Sequence, residues 1–323
     1  MRFLPLLSLI CTLVAFPSLA NEYRYGPFIN YAQAPLASHS LTPQLRDGFS
    51  LPQDSQELFG GFSAASIWSD SPGYEGDFYQ NQFTLGLKWQ FAPRWQAELS
   101  YRFSQAWDNQ LDSLTMGFHD LFGLDQNGRD SVDKHRFHIA VPEHKIAWDD
   151  FSGSTLSSAF SVYTQYQIHT SEQHGLSLGA TLYYNQNGLL RLNRFEQALQ
   201  LNYTYQQDAH RIYGLLGVVH HNSATGTLPT KKSTLTLAAG YEYQLNTKHH
   251  LFSSFHFYQG TVESPKELEK PATEYVLGYR YVMPSSALEL ALTENVFITD
   301  NSTDNSTDNS TDIALHISYR YRL

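Results

Sequence analysis

The sequence predicts an all-β fold, a transmembrane antiparallel up-and-down β-barrel of about 12 strands with a short helix in one long loop. Three observations predict it: long segments of period two, a strict alternation of short and long connections, and paired aromatics at one set of strand ends. The period-two segments run to about ten residues or more, near the roughly 9–11 that a tilted strand needs to cross a bilayer and above the usual 5–6 of water-soluble strands. Composition fits. Aromatic residues make up 14 % of the 323 and charged residues only 16 %, which is too much apolar ring area for a disordered chain. Mean hydropathy is −0.38, and beyond residue 20 no stretch supplies the roughly 18–20 apolar residues of a membrane helix.

Residues 1–20 carry Arg2, an apolar run, and then Pro17, Ser18, Leu19 and Ala20 ahead of a polar segment. This pattern reads as a secretory signal peptide cleaved after Ala20. The single cysteine, Cys11, lies inside it, so the mature chain has neither a disulfide framework nor a thiolate metal site. Loss of Arg2 with the leader moves the formal net charge from −10 to −11, and such a surface repels phosphate backbones, which excludes nucleic acid as the expected partner. Residues 21–55 contain Pro27, Pro35, Pro43 and Pro52 without a sustained period. They read as an irregular segment, either periplasmic or a luminal plug.

From residue 56 to 323 the barrel pattern takes over. Strands are expected at 57–69, 81–91, 95–105, 156–169, 174–184, 196–205, 209–221, 233–245, 249–258, 273–283, 287–298 and 313–323. Short links fall at 92–94, 171–173, 206–208, 246–248 and 284–286, and longer ones at 70–80, 106–155, 185–195, 222–232, 259–272 and 299–312. Outer-membrane barrels keep short turns on the periplasmic side, so an even strand count sets both barrel ends there and places the chain in a cell outer membrane, with membrane lipid as its partner. Strands descending to the short links end in aromatic pairs on the apolar face: Trp89 and Phe91, Tyr203 and Tyr205, Tyr241 and Tyr243, Tyr279 and Tyr281, Tyr319 and Tyr321. Rings at headgroup level form the girdle of a membrane barrel. The opposite parity assigns Lys88, Glu98, Arg102, Glu242, Glu274, Arg280, Glu289, His316, Arg320 and Arg322 to the lumen, where charges of both signs must pair because an unpaired one is costly.

The long loop 107–155 exceeds what neighbouring strands need, as functional loops do. Leu111, Leu114, Phe118, Leu121 and Phe122 fall at helical spacing before Gly123. The weak alternation over 137–147 contains Pro142, so it is expected to extend the loop and not to add a barrel strand. Loop 299–312 repeats Asn-Ser-Thr-Asp in tandem and reads as a solvated surface segment. His119 and Asp120, beside Arg129 and Asp130, form the one cluster with catalytic chemistry to offer: a loop histidine at the mouth acting as general base toward a lipid ester. The plainer reading is that they pin the loop, and no Gly-x-Ser-x-Gly elbow supports the enzyme. The pairs His220 with His221 and His249 with His250 face opposite ways on a strand; neither they nor His135 with His138 is expected to hold metal, and no cofactor is expected.

Residues 116–130 include Gly117, Phe118, His119, Asp120, Leu121, Phe122, Gly123, Gly128, Arg129 and Asp130. This run resembles the signature of an uncharacterised family of proteobacterial outer-membrane proteins known only as a domain of unknown function. Leu292, Thr293, Glu294 and Asn295, followed by residues 313–323, are similar to that family's C-terminus, with the Asn-Ser-Thr-Asp repeat as an insertion. The resemblance implies an outer-membrane barrel and no activity. The last strand, with Leu315, Ile317, Tyr319, Tyr321 and Leu323 on one parity, also resembles the signal read by the barrel-assembly machinery, although that signal usually ends in Phe. The expected function is passage or binding of a small molecule with loop 107–155 at the extracellular mouth. The alternatives are a lipid-modifying enzyme of lipase or deacylase type using His119, and a structural or adhesive surface barrel.

Overall fold

The computed structural model describes residues 24–111, 113, 116–117, 132–222, 228–294, 311 and 313–323. Its strands are β1 (Gln56–Ser71), β2 (Tyr74–Ala92), β3 (Trp95–Gln105), β4 (His138–Val141), β5 (Ile146–Asp149), β6 (Thr155–Thr170), β7 (His174–Asn187), β8 (Phe195–Gln207), β9 (His210–His221), β10 (Ser233–Gln244), β11 (His249–Tyr258), β12 (Ala272–Val282), β13 (Ser286–Glu294) and β14 (Ile313–Arg322). Every ladder between them is antiparallel, and the barrel strands pair in chain order, with β3 pairing to β6 past the inserted β4 and β5. Strand β1 pairs with both β2 and β14, so the sheet closes on itself. Setting aside β4 and β5, which lie outside that cycle, twelve strands form the barrel. Closure leaves no unpaired strand edge, the condition a sheet must meet in hydrocarbon.

Side-chain exposure is inverted relative to a water-soluble protein. Outward residues are apolar and bare, with Leu85 64 % and Leu199 61 % exposed, whereas inward Glu57 and Arg320 are fully buried. Along β7, Leu178, Leu182 and Tyr184 point out while Ser177, Thr181 and Asn185 point in. Lipid supplies the solvent that such an outer face needs. Five short turns gather at one end, where β2 meets β3, β6 meets β7, β8 meets β9, β10 meets β11 and β12 meets β13. The start of β1 and the end of β14 lie at the same end, since Glu57 opposes both Arg322 and Lys88.

At that end a repeated motif ties three hairpins together. His174, His210 and His249 open β7, β9 and β11, and each stands opposite the second tyrosine of the neighbouring pair, Tyr205, Tyr243 and Tyr281. Each imidazole Nδ1 also reaches the hydroxyl of the first tyrosine, Tyr203 at 2.8 Å, Tyr241 at 2.6 Å and Tyr279 at 2.5 Å. The polar ends of the rings thus meet partners beside the turns while their apolar bodies face outward.

The other end departs from expectation in two places. The expected link at 70–80 is instead strand: β1 and β2 continue as a hairpin to Ser71 and Tyr74, because Tyr74, Phe78 and Tyr79 have a loop core to pack against. The 137–147 stretch adds no barrel strand, but it is not irregular either. Strands β4 and β5 form a small hairpin around Pro142, and β4 pairs with Glu75–Asp77 of the β2 extension. Phe137, Ile139, Val141, Ile146, Phe151, Leu190, Leu228 and Leu268 join those rings in an apolar lid over the mouth. The expected loop helix is present at Leu111, Ser113, Met116 and Gly117; the rest of it lies outside the described residues.

Introducing Arg at Leu216, outward and near the middle of β9, is expected to destabilise the barrel in lipid vesicles by about 2–4 kcal/mol, with Leu216→Phe nearly neutral. Urea unfolding in vesicles measures both; equal midpoints would remove lipid from that face.

Candidate functional site

Residues 24–55 run through the barrel interior, a placement that the sequence left open. The chain rises from the short-turn end at Tyr25, turns through a short 3-10 helix at Ala37–His39 beneath the lid, and returns to β1. Its apex is marked by Leu36, which packs into the lid cluster.

The rising limb rests on a belt of interleaved acidic and basic side chains. Eight neighbouring strands each contribute one member, in the order Lys88, Glu57, Arg320, Glu289, Arg280, His250, Glu242 and Arg211. Lys88 Nζ lies 3.4 Å from Glu57 Oε1, Arg320 NH2 lies 2.8 Å from the same oxygen, and Arg320 NH1 lies 3.3 Å from Glu289. Arg280 bridges Glu289 at 2.6 Å and Glu242 at 3.2 Å. Glu242 also accepts from Tyr213 at 2.7 Å and His250 at 2.5 Å, with Arg211 at 3.5 Å. Upward, Arg280 donates to Gly26 O at 2.7 Å and Arg320 to Pro27 O at 3.0 Å and to Tyr25 O. Phe28 lies over the Arg280 guanidinium and stacks on Phe252 with centroids 4.6 Å apart.

At the apex, strand side chains satisfy backbone groups that no ladder could reach. Glu274 accepts from Gln33 N at 2.6 Å and Ala34 N at 2.7 Å; Glu196 accepts from Leu41 N at 2.6 Å. Arg102 donates to Ser40 O at 3.2 Å and lies over the Tyr31 ring at 4.6 Å. The returning limb is held by the fork of Arg46 on Glu98, 2.7 and 2.8 Å, and by Thr204 accepting from Gly48 N at 2.8 Å. Two contacts require glycine in the wall. A Cβ on Gly278 would stand 2.4 Å from the Phe28 ring, and one on Gly175 would stand 2.7 Å from Gly48 C.

A family model described as a protein of unknown function, DUF3187, matches residues 3–323. The chain belongs to the DUF3187 family. No curated protein matches it by sequence. Among solved structures, the COG4313 outer membrane channel from Pseudomonas putida F1 is similar in fold at TM-score 0.53 and 11 % identity, covering 88 % of this chain and all 100 % of that one. The NanC porin gives TM-score 0.46 at 10 % identity, covering 83 % and 100 %. The toluene transporter TbuX of Ralstonia pickettii gives 0.42 at 10 %, covering 90 % and 98 %. The first of these shows an outer-membrane-type barrel fold for this family member.

Of the luminal charges read from sequence, Lys88, Glu98, Arg102, Glu242, Glu274, Arg280, Glu289 and Arg320 are buried inside. His316 sits between Ser63 Oγ at 2.6 Å and Thr293 Oγ1 at 2.8 Å, and Arg322 reaches the rim at Pro284 O. Glu98, Arg102 and Glu274 also hold the luminal hairpin of residues 24–55, through Arg46, Ser40 O and the Gln33 and Ala34 amides. Sequence reasoning left out Glu57, Glu196, Arg211, His221 and His250, all on the luminal parity and legible there. His220 points outward and His221 inward to Glu196; among the described residues no group of three or more side chains could hold a metal. Trp89, Phe91, Tyr203, Tyr205, Tyr241, Tyr243, Tyr279, Tyr281, Tyr319 and Tyr321 all lie toward the short-turn end. Of the loop signature only Gly117 is described, with open space around it. Phe118, His119, Asp120, Leu121, Phe122, Gly123, Gly128, Arg129 and Asp130 lie outside the described residues.

Glu98→Gln is expected to cost about 3–5 kcal/mol in urea unfolding, because it leaves the Arg46 charge buried without its counter-ion. A second expectation concerns acid. His39 is fully buried with Nδ1 3.1 Å from Ser157 Oγ, and burial, then the nearby Arg102, push its pKa down to about 3. A histidine held below its unfolded value of about 6.5 contributes stability that is complete above that pH and lost as pH falls. Unfolding midpoints between pH 7 and 4 should therefore drop with a component of about 1.4 kcal/mol per pH unit below pH 6.5 that His39→Gln lacks; parallel slopes would refute it.

Proposed function

We propose that this protein is a gated outer-membrane barrel for passage of a small molecule, with residues 24–55 as the gate and the lid of loop 107–155 over the extracellular mouth. The observation that carries this reading is how the lumen is filled. A barrel of twelve strands is wider than the eight-stranded kind that strand side chains can fill. Here the space is taken by a separate stretch of chain that forms no part of the sheet and is held by side-chain hydrogen bonds and ion pairs. Without it the wall would present Glu98, Arg102, Glu196 and Glu274 to water, a lining suited to polar solutes. The short turns and both barrel ends belong to the periplasmic side in this reading, as short turns do in bacterial barrels. The fold likeness to an outer membrane channel is consistent with it.

In planar bilayers the full chain is expected to be closed for most of the time. Deleting residues 24–50 should give discrete conductance steps, and deleting 107–150 as well should enlarge them. A deleted barrel that still shows heat-modifiable gel migration, yet conducts no more than the full chain, would overturn the proposal.

A further inference from the structure

Below the hairpin, at the short-turn end, the lumen widens into a cavity of about 340 Å³. Its charged walls are all basic. Arg24, Arg211, Lys248, Arg280, Arg322 and His250 line it, and among the described lining residues there is no carboxylate. The chain as a whole carries a net charge of −10, so this concentration of cations does not follow from composition.

The belt also orients the walls. Glu242 and Glu289 fix Arg280, and Glu242 lies 3.5 Å from Arg211, so the guanidinium groups are set before any ligand arrives. Arg24 is crowded: burial, and after it the neighbouring Arg211, hold its guanidinium below the usual range. His250 is fixed in the same way, its Nδ1 2.5 Å from Glu242 Oε1 and its side chain only 9 % exposed.

We propose that this vestibule binds a small organic anion through its carboxylate or phosphate group, entering from the short-turn side. Forked guanidinium donors match both groups. The volume lies near the lower end of the roughly 300–1,000 Å³ of small-molecule sites, which suits a small acid and not a polymer. The inference rests on the passage reading and names its solute class. Binding to detergent-solubilised protein needs no conductance, so the two can fail separately.

The test is isothermal titration of the folded full chain in detergent with inorganic phosphate and with citrate, using glycerol as the uncharged control. At least one anion should bind saturably with a Kd at or below about 1 mM, and the phosphate and citrate arms show which group is preferred. Lys248→Gln with Arg322→Gln, both at the rim, should weaken binding by about tenfold while heat-modifiable migration is kept. If that pair does not fold, Lys248→Gln alone should weaken it by roughly threefold. The proposal is overturned if neither anion gives saturable heat, if glycerol binds equally well, or if the folded variants bind as the parent does.

Discussion

Burying ionised side chains away from bulk water is the constraint on which this interior depends. Each carboxylate or guanidinium taken from water costs several kcal/mol unless partners replace the lost hydration. The belt from Lys88 to Arg211 meets that demand by setting carboxylates among basic side chains, so that Glu57, Glu289 and Glu242 are each shared between cations. Lys88 also stands opposite Glu98 in the ladder, and Glu98 in turn engages Arg46 of the hairpin. Register is thereby fixed from inside the barrel as well as by the outward apolar parity, since a slip of one residue would expose every charge to lipid.

The hairpin and the wall are built by different rules. Strands satisfy their backbone groups in ladders and spend their inward side chains on the hairpin. The hairpin has no ladder, so its amides and carbonyls draw on Glu274, Glu196, Arg102, Arg280 and Arg320. At the long-loop end the chemistry changes to apolar packing around Tyr74, Phe78 and Leu36, where the residual void of about 20 Å³ has room for little more than one water. The two ends of the lumen are therefore unlike: one dry and filled, the other wide and cationic.

Most of the barrel could be read from the chain because its signals are local. Period two, turn residues and the aromatic-x-aromatic endings each need only a dozen neighbouring residues, and the strand positions agree with the structure to within two or three residues wherever the lipid face is continuous, the expected end of the strand at 287–298 lying outside the described residues. The β1–β2 hairpin ran past expectation because its tip is stabilised by Phe137 and Ile139, partners more than fifty residues away that no local window contains. The fate of residues 24–55 was illegible for the same reason. Arg46 finds Glu98, and Gln33 finds Glu274, only after the sheet has closed. A hint existed in luminal glycines such as Gly278 and Gly175, whose missing side chains leave space that Phe28 and Gly48 occupy.

Arg320 belongs to the last strand, yet it grips the first described residues of the chain through Tyr25 O and Pro27 O and the opening strand through Glu57. The seam of the cylinder and the anchorage of its contents are consequently one joint. A cylinder emptied of that segment would keep Arg320 tied to Glu57 and Glu289 but would strip it of both backbone carbonyls, so loosening the contents and loosening the seam draw on the same guanidinium.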